Sequence, residues 1–146
     1  VVIAGASDAV TKACELLKAA GAKRALPLPV SAPFHSSLLK PASDRLRDYL
    51  QSVAFASPAI PLINNVDVAV VTDAAAIKDA LVRQAASPVR WVETVQTMAS
   101  LGVERVIECG PGKVLSGLVK RIHGELATDA INDQASMDAL LETIGS

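Results

Sequence analysis

Apolar residues recur along this chain with two different periods. Spacings of three and four residues are typical of a helix with one buried face, and they occur in six segments: 7–20, 38–53, 73–86, 91–101, 113–123 and 136–144. Short apolar runs bounded by glycine, proline or asparagine predict five strands: 1–4, 25–30, 60–65, 103–109 and 127–131. Because strands and helices alternate through short connections, the pattern predicts a parallel α/β sheet.

Glycine, proline and short polar residues mark where these elements begin and end. Ser7 or Asp8 is placed to cap the first helix, and Gly21 follows its last turn. Asp73 is placed to cap the third helix. Two prolines within 25–30 lack the N–H that a strand donates, so this segment is predicted to be an edge strand or a connector.

The composition and charge of the chain exclude two classes of partner. Apolar residues make up 51% of the chain and aromatic residues 3%, so small aliphatic side chains must fill the core. The 14 basic and 15 acidic residues give a net charge of -1, without the basic run that a nucleic-acid partner requires. No apolar run approaches the ~20 residues of a membrane span. The pattern therefore excludes a nucleic-acid partner and a membrane span.

The first residues and the two cysteines indicate where in the cell the protein lies and whether the chain is part of a longer one. Residues 1–5 lack the basic start and the cleavage site of a signal peptide, and the sequence does not begin with methionine, so we expect a piece of a longer chain. Cys14 and Cys109 lie in different contexts, which predicts two buried free thiols in a reducing cytoplasm. No Cys/His spacing indicates a metal site.

Two histidines are available for acid–base chemistry. His35 lies in a loop before a predicted helix, and it can act as a general base if an acceptor orients its ring. Packing or helix capping would explain the same position. His123 lies at the end of a helix beside Lys120 and Arg121, where the helix dipole favours a cation, so we interpret it as structural.

Two strand-to-helix turns offer alternative chemistry. The segment GASDA (5–9) has the order of a nucleophile elbow but lacks its second glycine, so helix capping explains Ser7 better. The segment GPGK (110–113) could offer backbone N–H groups to an anion, although it lacks the spacing of a P-loop. The amides of Asn64 and Gln84 are interpreted as loop-orienting groups, and Arg83 as a solvated surface residue.

Several motifs, taken in order, resemble those of one known family. The segment LPVSAPFHS (28–36) is followed by INNVD (63–67), RQ (83–84), PVRW (88–91) and ECGPGKVL (108–115). Together with VIAG (2–5) and AGAKR (20–24), these motifs are similar to those of the malonyl-CoA:acyl-carrier-protein transacylase family. The resemblance runs almost end to end, and it is specific only because the motifs occur in combination.

The resemblance implies a two-part acyltransferase. Residues 1–29 resemble the second half of a small ferredoxin-like subdomain, and residues 30–146 resemble the C-terminal part of a large α/β-hydrolase-like subdomain. A boundary near residue 30 agrees with the pattern of elements. The implied reaction transfers malonyl from malonyl-CoA to the phosphopantetheine thiol of acyl carrier protein, in fatty acid biosynthesis, through a malonyl-serine enzyme and without a cofactor.

By motif match, the resemblance assigns roles to four residues. His35 is implied as the general base. The backbone carbonyl of Gln84 is implied as the group that orients it, in the place of a triad aspartate. Phe34 and Asn64 are implied as substrate-binding residues. The ring of Phe34 would crowd the α-methyl group of methylmalonyl-CoA, which implies a malonyl preference.

The chain departs from the family because the nucleophile is absent. The GHSxG serine, the arginine that pairs with the malonyl carboxylate and the GQG oxyanion segment lie upstream in the family. We therefore expect the chain alone to be inactive and to need the N-terminal remainder of the same enzyme, a cytoplasmic protein that is monomeric when intact. Two alternatives stay open: a non-catalytic or nucleotide-binding α/β module that uses 110–113, and a self-contained hydrolase that uses Ser7 and His35.

Overall fold

The computed structural model describes residues 1–144 and divides the chain into two compact units, of which the second begins at Trp91. The elements in chain order are α1 (Ser7–Ala19), a 3₁₀ helix (Ser37–Leu39), α2 (Lys40–Gln51), β1 (Leu62–Ile63), β2 (Val70–Val71), α3 (Ala74–Gln84), α4 (Trp91–Ser100), β3 (Arg105–Cys109), α5 (Val114–Ile122), β4 (Ala127–Ile131) and α6 (Gln134–Ile144). None of the helices in residues 1–144 is long and apolar enough to cross a membrane. The predicted subdomain boundary near residue 30 stays a prediction.

The first unit is mostly helical and contains one very short sheet. Strand β1 pairs antiparallel with β2, and α2 packs on α3. Asp73 caps α3 as predicted, because its carboxylate accepts the N–H of Ala76 at 2.7 Å. Helix α2 buries Ser43 as well as Leu50, whereas Tyr49 of the same helix is exposed.

Three predictions for the start of the first unit are wrong. Segments 1–4 and 25–30 are not strands, and nearly all of their side chains are exposed, so that 25–30 is the connector and not the edge strand of the two alternatives. A strand needs the hydrogen bonds of a neighbouring strand, and no other segment of residues 1–144 pairs with either of them. At the start of α1, Ala6 occupies the N-cap position and no side chain caps the helix, so neither Ser7 nor Asp8 has the predicted role.

The end of α1 matches the prediction that glycine stops the helix. The N–H of Gly21 bonds the carbonyl of Lys18 at 3.0 Å, and the N–H of Ala22 bonds the carbonyl of Leu17 at 2.9 Å. This pair of bonds is the Schellman motif. The φ angle of Gly21 is 91°, a left-handed conformation that glycine adopts without steric cost.

The second unit is built on a parallel strand pair with helices packed against it. Strands β3 and β4 align from Arg105 opposite Ala127 to Cys109 opposite Ile131, and α5 and α6 pack on β4. The buried centre consists of Val95, Val119 and Leu126. The parallel pair joined through a helix confirms the predicted α/β class.

The two cysteines are both free, as predicted, but their burial differs from the prediction. Cys14 in α1 is half-buried, and Cys109 at the end of β3 is exposed. Burial of Cys109 was therefore a wrong prediction. Cys109 is the last residue of the ladder, opposite Ile131, and the apolar run that ends there does not determine how far its side chain is covered.

Candidate functional site

A single hydrogen bond to the end of α3 orients the ring of His35. Its Nδ1 lies 3.0 Å from the backbone oxygen of Gln84. Because a carbonyl oxygen can only accept, Nδ1 must carry the proton and donate it. In the neutral ring the lone pair is then on Nε2. The contact therefore selects the tautomer in which Nε2 is ready to take a proton from a nucleophile.

The oxygen that holds His35 belongs to the last residue of α3. Carbonyls at the end of a helix lack partners inside the helix and carry a partial negative charge. The Gln84 oxygen also accepts the N–H of Ser87 at 3.3 Å, and the Gln84 side chain donates to the carbonyls of Ser87 and Pro88 at 3.1 and 3.2 Å. The amide of Gln84 thus orients the loop after α3, as interpreted from the sequence. The negative end of the helix would stabilise an imidazolium on His35.

The backbone of His35 adopts an uncommon conformation. Its φ angle is 58°, in the left-handed region where few residues other than glycine occur. The flanking turn is closed by the N–H of Phe34, which bonds the carbonyl of Ala32 at 2.9 Å, and by the hydroxyl of Ser36, which donates to the carbonyl of Pro33 at 2.7 Å. Strain of this kind is concentrated at functional sites. The rings of Phe34 and His35 are both exposed.

Two side chains outside the predicted site fix the end of α3. The buried hydroxyl of Ser43 donates to the carbonyl of Val82 at 2.6 Å. Arg83 donates two hydrogen bonds of 2.6 Å to the carboxylate of Asp67 and one of 2.6 Å to Asp79. Arg83 lies at the surface as interpreted, with 39% of its side chain exposed, but it is held by two carboxylates and is not a free solvated group. The spacing of Asp79 and Arg83 by four residues was a usable signal, whereas the 16-residue separation from Asp67 was not.

The turn between β1 and β2 is shaped by Asn64. Its Oδ1 accepts the N–H of Asp67 at 2.7 Å, which distinguishes Oδ1 from Nδ2 and confirms the loop-orienting interpretation. The carbonyl of Asp67 also accepts a bond of 3.3 Å from Nη1 of Arg90. The Nδ2 atom of Asn64 is buried and has no partner within residues 1–144. Substrate binding by Asn64 stays a prediction, since Nδ2 is enclosed.

The charges near the end of α3 are strongly paired. Hydrogen bonds from Arg83 hold the pKa of Asp67 below its ordinary value, with a further contribution from the charge of Arg83. Hydrogen bonds to Asp67 and then Asp79 raise the pKa of Arg83. Asp67 and Arg83 are both charged at neutral pH, so the ion pair between them is present there.

The GPGK turn does not have an open anion site. The carboxylate of Glu108 accepts the N–H of Leu115 at 3.1 Å, and the N–H and hydroxyl of Ser116 at 2.8 and 2.9 Å. A side chain of the protein thus occupies the position that an anion would take at the start of α5. The turn reverses the chain through φ angles of 144° at Gly110 and 92° at Gly112. The nucleotide-binding alternative has no support here.

The remaining candidates add little to the site. Within residues 1–144, no hydrogen bond joins Ser7 to His35, and no cluster of three His, Cys, Asp or Glu side chains could hold a metal ion. His123 ends α5 and has a buried Nδ1. A cavity of about 470 Å³ in the first unit and one of about 490 Å³ in the second are both lined without His35.

Proteins of known sequence resemble the chain over nearly its whole length. Malonyl CoA-acyl carrier protein transacylase of Salmonella typhimurium is 55% identical over 141 residues, which are 97% of this chain and 46% of that protein. The Bacillus subtilis protein of the same name is 44% identical over 144 residues, 99% of this chain and 45% of its own length. The chain thus spans about half the length of these curated relatives. No protein-family model matches it.

Solved structures of malonyltransferases are similar to this chain in fold. An acyl-carrier-protein S-malonyltransferase from Burkholderia pseudomallei is 65% identical, with a TM-score of 0.89 over 94% of this chain and 45% of that one. A malonyl-transacylase in complex with the acyl-carrier protein of a type II PKS is 50% identical, with a TM-score of 0.91 over 95% of this chain and 45% of that one. At these identities, the likeness extends to sequence as well as to fold.

Proposed function

Since this chain is homologous to the C-terminal part of malonyl CoA-acyl carrier protein transacylases, we propose that it supplies the catalytic histidine of such an enzyme. The observation that carries the proposal is the 3.0 Å hydrogen bond from Nδ1 of His35 to the carbonyl of Gln84. That bond leaves Nε2 as the base. The nucleophilic serine belongs to an N-terminal part of the same enzyme.

The first half of the proposed reaction loads the malonyl group onto serine. Nε2 of His35 takes the proton of the serine hydroxyl while the oxygen attacks the thioester carbonyl of malonyl-CoA. A C–O bond forms, the C–S bond breaks, and His35 returns the proton to the departing CoA thiolate. The imidazolium formed in between lies against the negative end of α3, which stabilises its charge.

The second half repeats the same proton movement with a different thiol. His35 accepts the proton of the phosphopantetheine thiol of holo acyl carrier protein, and the sulfur attacks the malonyl-serine ester. A C–S bond forms, the C–O bond breaks, and the proton returns to the serine oxygen. The reaction needs no resident cofactor, because both acyl carriers are substrates.

The neighbours of His35 would set selectivity. The exposed ring of Phe34 directly precedes the base, and it would crowd an α-methyl group on the substrate. Differences of one methyl group between substrates are worth about 1–3 kcal/mol in such sites. Asn64 completes the proposed substrate-binding set if its enclosed Nδ2 becomes accessible when substrate binds.

The proposal includes the setting of the enzyme. The partners are malonyl-CoA, acyl carrier protein and the N-terminal part of the same chain, and the intact enzyme is a cytoplasmic monomer that serves fatty acid biosynthesis. Residues 1–146 alone would lack the nucleophile and would transfer no malonyl.

The test is malonyl transfer from malonyl-CoA to holo acyl carrier protein by the intact enzyme, compared with its His35→Asn and His35→Ala variants. Asparagine tolerates the left-handed backbone of residue 35 better than most residues, so His35→Asn removes the base with little backbone strain. We expect kcat/KM to fall by a factor on the order of 10³–10⁴ in both variants. Competition between malonyl-CoA and methylmalonyl-CoA in the same assay tests the role of Phe34.

The matched control is His123→Asn, which changes the other histidine of the chain and should leave transfer within about threefold of the parent. Circular dichroism of each variant must show that it is folded. The proposal fails if the His35 variants transfer malonyl as fast as the parent, or if the intact parent transfers none.

A further inference from the structure

We propose that the Asp67–Arg83 ion pair positions His35 by holding the Gln84 carbonyl in place. The inference rests on the proposed function, because it needs His35 to be the base. Within residues 1–144, neither residue of the pair is hydrogen-bonded to the histidine. The pair acts on the end of α3, one residue away from the oxygen that accepts the bond from Nδ1.

The geometry of the pair is that of a two-point clamp. Nη1 and Nη2 of Arg83 each donate to a different oxygen of the Asp67 carboxylate, both at 2.6 Å. A planar guanidinium held at two points fixes orientation as well as distance, which a lysine could not do. Asp67 lies in the turn between β1 and β2, so the clamp ties the last turn of α3 to a different part of the first unit.

The position of the clamp matters because the ends of a helix are less constrained than its middle. The last carbonyls of a helix lack internal bonds that would fix their direction, and ends of helices fray. Gln84 is the last residue of α3, and its oxygen must point at His35 to keep the proton on Nδ1. A shift of about 1 Å at a positioning group is enough to lower a rate by up to 10²-fold.

The turn that carries Asp67 is held independently of its carboxylate. The N–H of Asp67 bonds Oδ1 of Asn64, and the carbonyl of Asp67 accepts from Arg90. An Asp67→Asn change keeps both contacts and removes the charge of the carboxylate, whose principal partner is Arg83 and which also lies in the field of Arg90. Its effect therefore reports on the clamp and not on the folding of the turn.

Asp79 provides a matched control on the same arginine. Its carboxylate accepts from Nε of Arg83 at 2.6 Å, as closely as Asp67 does. Asp79 lies one turn earlier in α3, however, so its ion pair stays within the helix and cannot tie the helix to the turn. The two aspartates differ in what they connect, while the change from Asp to Asn is the same.

The experiment compares Asp67→Asn, Asp79→Asn and Asp67→Glu in the intact enzyme with the parent. We expect Asp67→Asn to lower kcat about tenfold with the KM for malonyl-CoA unchanged, because the base is misplaced while substrate binding is not. Asp79→Asn should stay within about twofold of the parent, and Asp67→Glu should recover part of the loss. The Nδ1–H proton resonance of His35 should broaden only in Asp67→Asn. If Asp67→Asn does not fold, Arg83→Lys replaces it, since lysine keeps the charge but not the two-point geometry.

Each possible result supports or overturns the positioning role of the Asp67–Arg83 ion pair. Full activity of the folded Asp67→Asn enzyme overturns the positioning role while leaving the loss in His35→Asn intact, so the proposed function would survive. Equal losses in Asp67→Asn and Asp79→Asn also overturn it, because the effect would then follow the charge of Arg83 or the stability of α3. Activity retained in His35→Asn overturns the proposed function and the clamp together.

Discussion

The two units of this chain are stabilised in different ways. From Trp91 onward, two five-residue strands satisfy each other's backbone groups along a parallel ladder, and three fully or nearly fully buried aliphatic residues form the centre. Up to Arg90, the only sheet has two residues in each strand, and long segments without regular structure lie between the helices. Backbone groups in such segments must find other partners.

In the first unit, side chains bond to backbone carbonyls both in helix α3 and in an irregular segment. Ser43 donates to the carbonyl of Val82, Lys78 to that of Val53 at 2.8 Å, and His35 to that of Gln84. The proposed catalytic base is thus one member of a set of side-chain-to-backbone bonds that join α3 to other parts of the first unit. The comparison teaches that the second unit is built on one apolar cluster, while the first combines a few buried apolar side chains of α2 and α3 with individual polar contacts. Substitutions of the two kinds should therefore act on different units.

The largest effect is expected at the apolar centre of the second unit. Val119 has no exposed surface, and a change to alanine leaves a cavity beside Val95 and Leu126. We expect Val119→Ala to lower the free energy of unfolding by about 2–3 kcal/mol. Trp91, the only tryptophan, packs against this centre, so its fluorescence during urea unfolding reports on the second unit.

The control for this prediction lies in the first unit. Val30→Ala makes the same chemical change at an exposed position of the 25–30 segment, and it should alter stability by less than about 0.5 kcal/mol. A loss at Val30 as large as that at Val119 would mean that the apolar side chains of this segment are covered in solution, and the contrast between the units would be wrong.

A smaller effect is expected at the buried hydrogen bond between α2 and α3 in the first unit. Ser43→Ala removes the hydroxyl that donates to the carbonyl of Val82 and leaves that buried oxygen without its partner. We expect a loss of about 1–2 kcal/mol. The measurement is urea unfolding followed by far-ultraviolet circular dichroism. The unfolding midpoint reported by the fluorescence of Trp91 should stay unchanged.

Ser52→Ala is the matched control for Ser43→Ala. The Ser52 hydroxyl donates to the carbonyl of Tyr49 at 2.9 Å, but at an exposed position where water can take its place. Its removal should cost less than about 0.5 kcal/mol. Similar losses in both variants would show that burial does not distinguish the two bonds.

The same contrast explains which elements could be predicted from the sequence. Strand 127–131 and the helices of the second unit were predicted closely, because the ladder and the packed faces impose regular periods on the residues. Segments 1–4 and 25–30 have the apolar composition of strands but no partner in residues 1–144, and strand β2 is too short to show a period. Pairing is a property of two segments, so one segment cannot reveal it.

The candidate site, like the fold, could be predicted from the sequence only in part. Resemblance indicated His35 and the carbonyl of Gln84, and the structure brings these two groups within 3.0 Å. Their roles in catalysis stay predictions, as do those of Phe34 and Asn64. The left-handed backbone of residue 35 and the bond between Asp67 and Arg83 left no mark in the sequence. The bond between Asp67 and Arg83 joins residues 16 apart, a separation that no local pattern encodes.

The smallest effect is expected in the acid unfolding of the second unit, where Glu108 caps α5. Hydrogen bonds from the backbone of Ser116, then of Leu115, and from the Ser116 hydroxyl hold the pKa of Glu108 below its ordinary value. The unfolded chain therefore binds a proton more readily than the folded chain does. The contribution of this carboxylate to the free energy of unfolding is fully present above about pH 5, and it is lost as the pH falls through the lowered pKa.

Glu108→Gln should make the unfolding midpoint reported by Trp91 less dependent on pH between pH 7 and pH 3, while reducing stability at pH 7. Because the partners of Glu108 are backbone N–H groups, salt should hardly change the difference, unlike the ion pair of Asp67 with Arg83 in the first unit. The control is Glu104→Gln, which changes an exposed glutamate just before β3. Its unfolding midpoint should depend on pH as that of the parent does. An unchanged pH dependence in Glu108→Gln would show that the cap does not stabilise α5, and that the apolar centre alone holds the second unit.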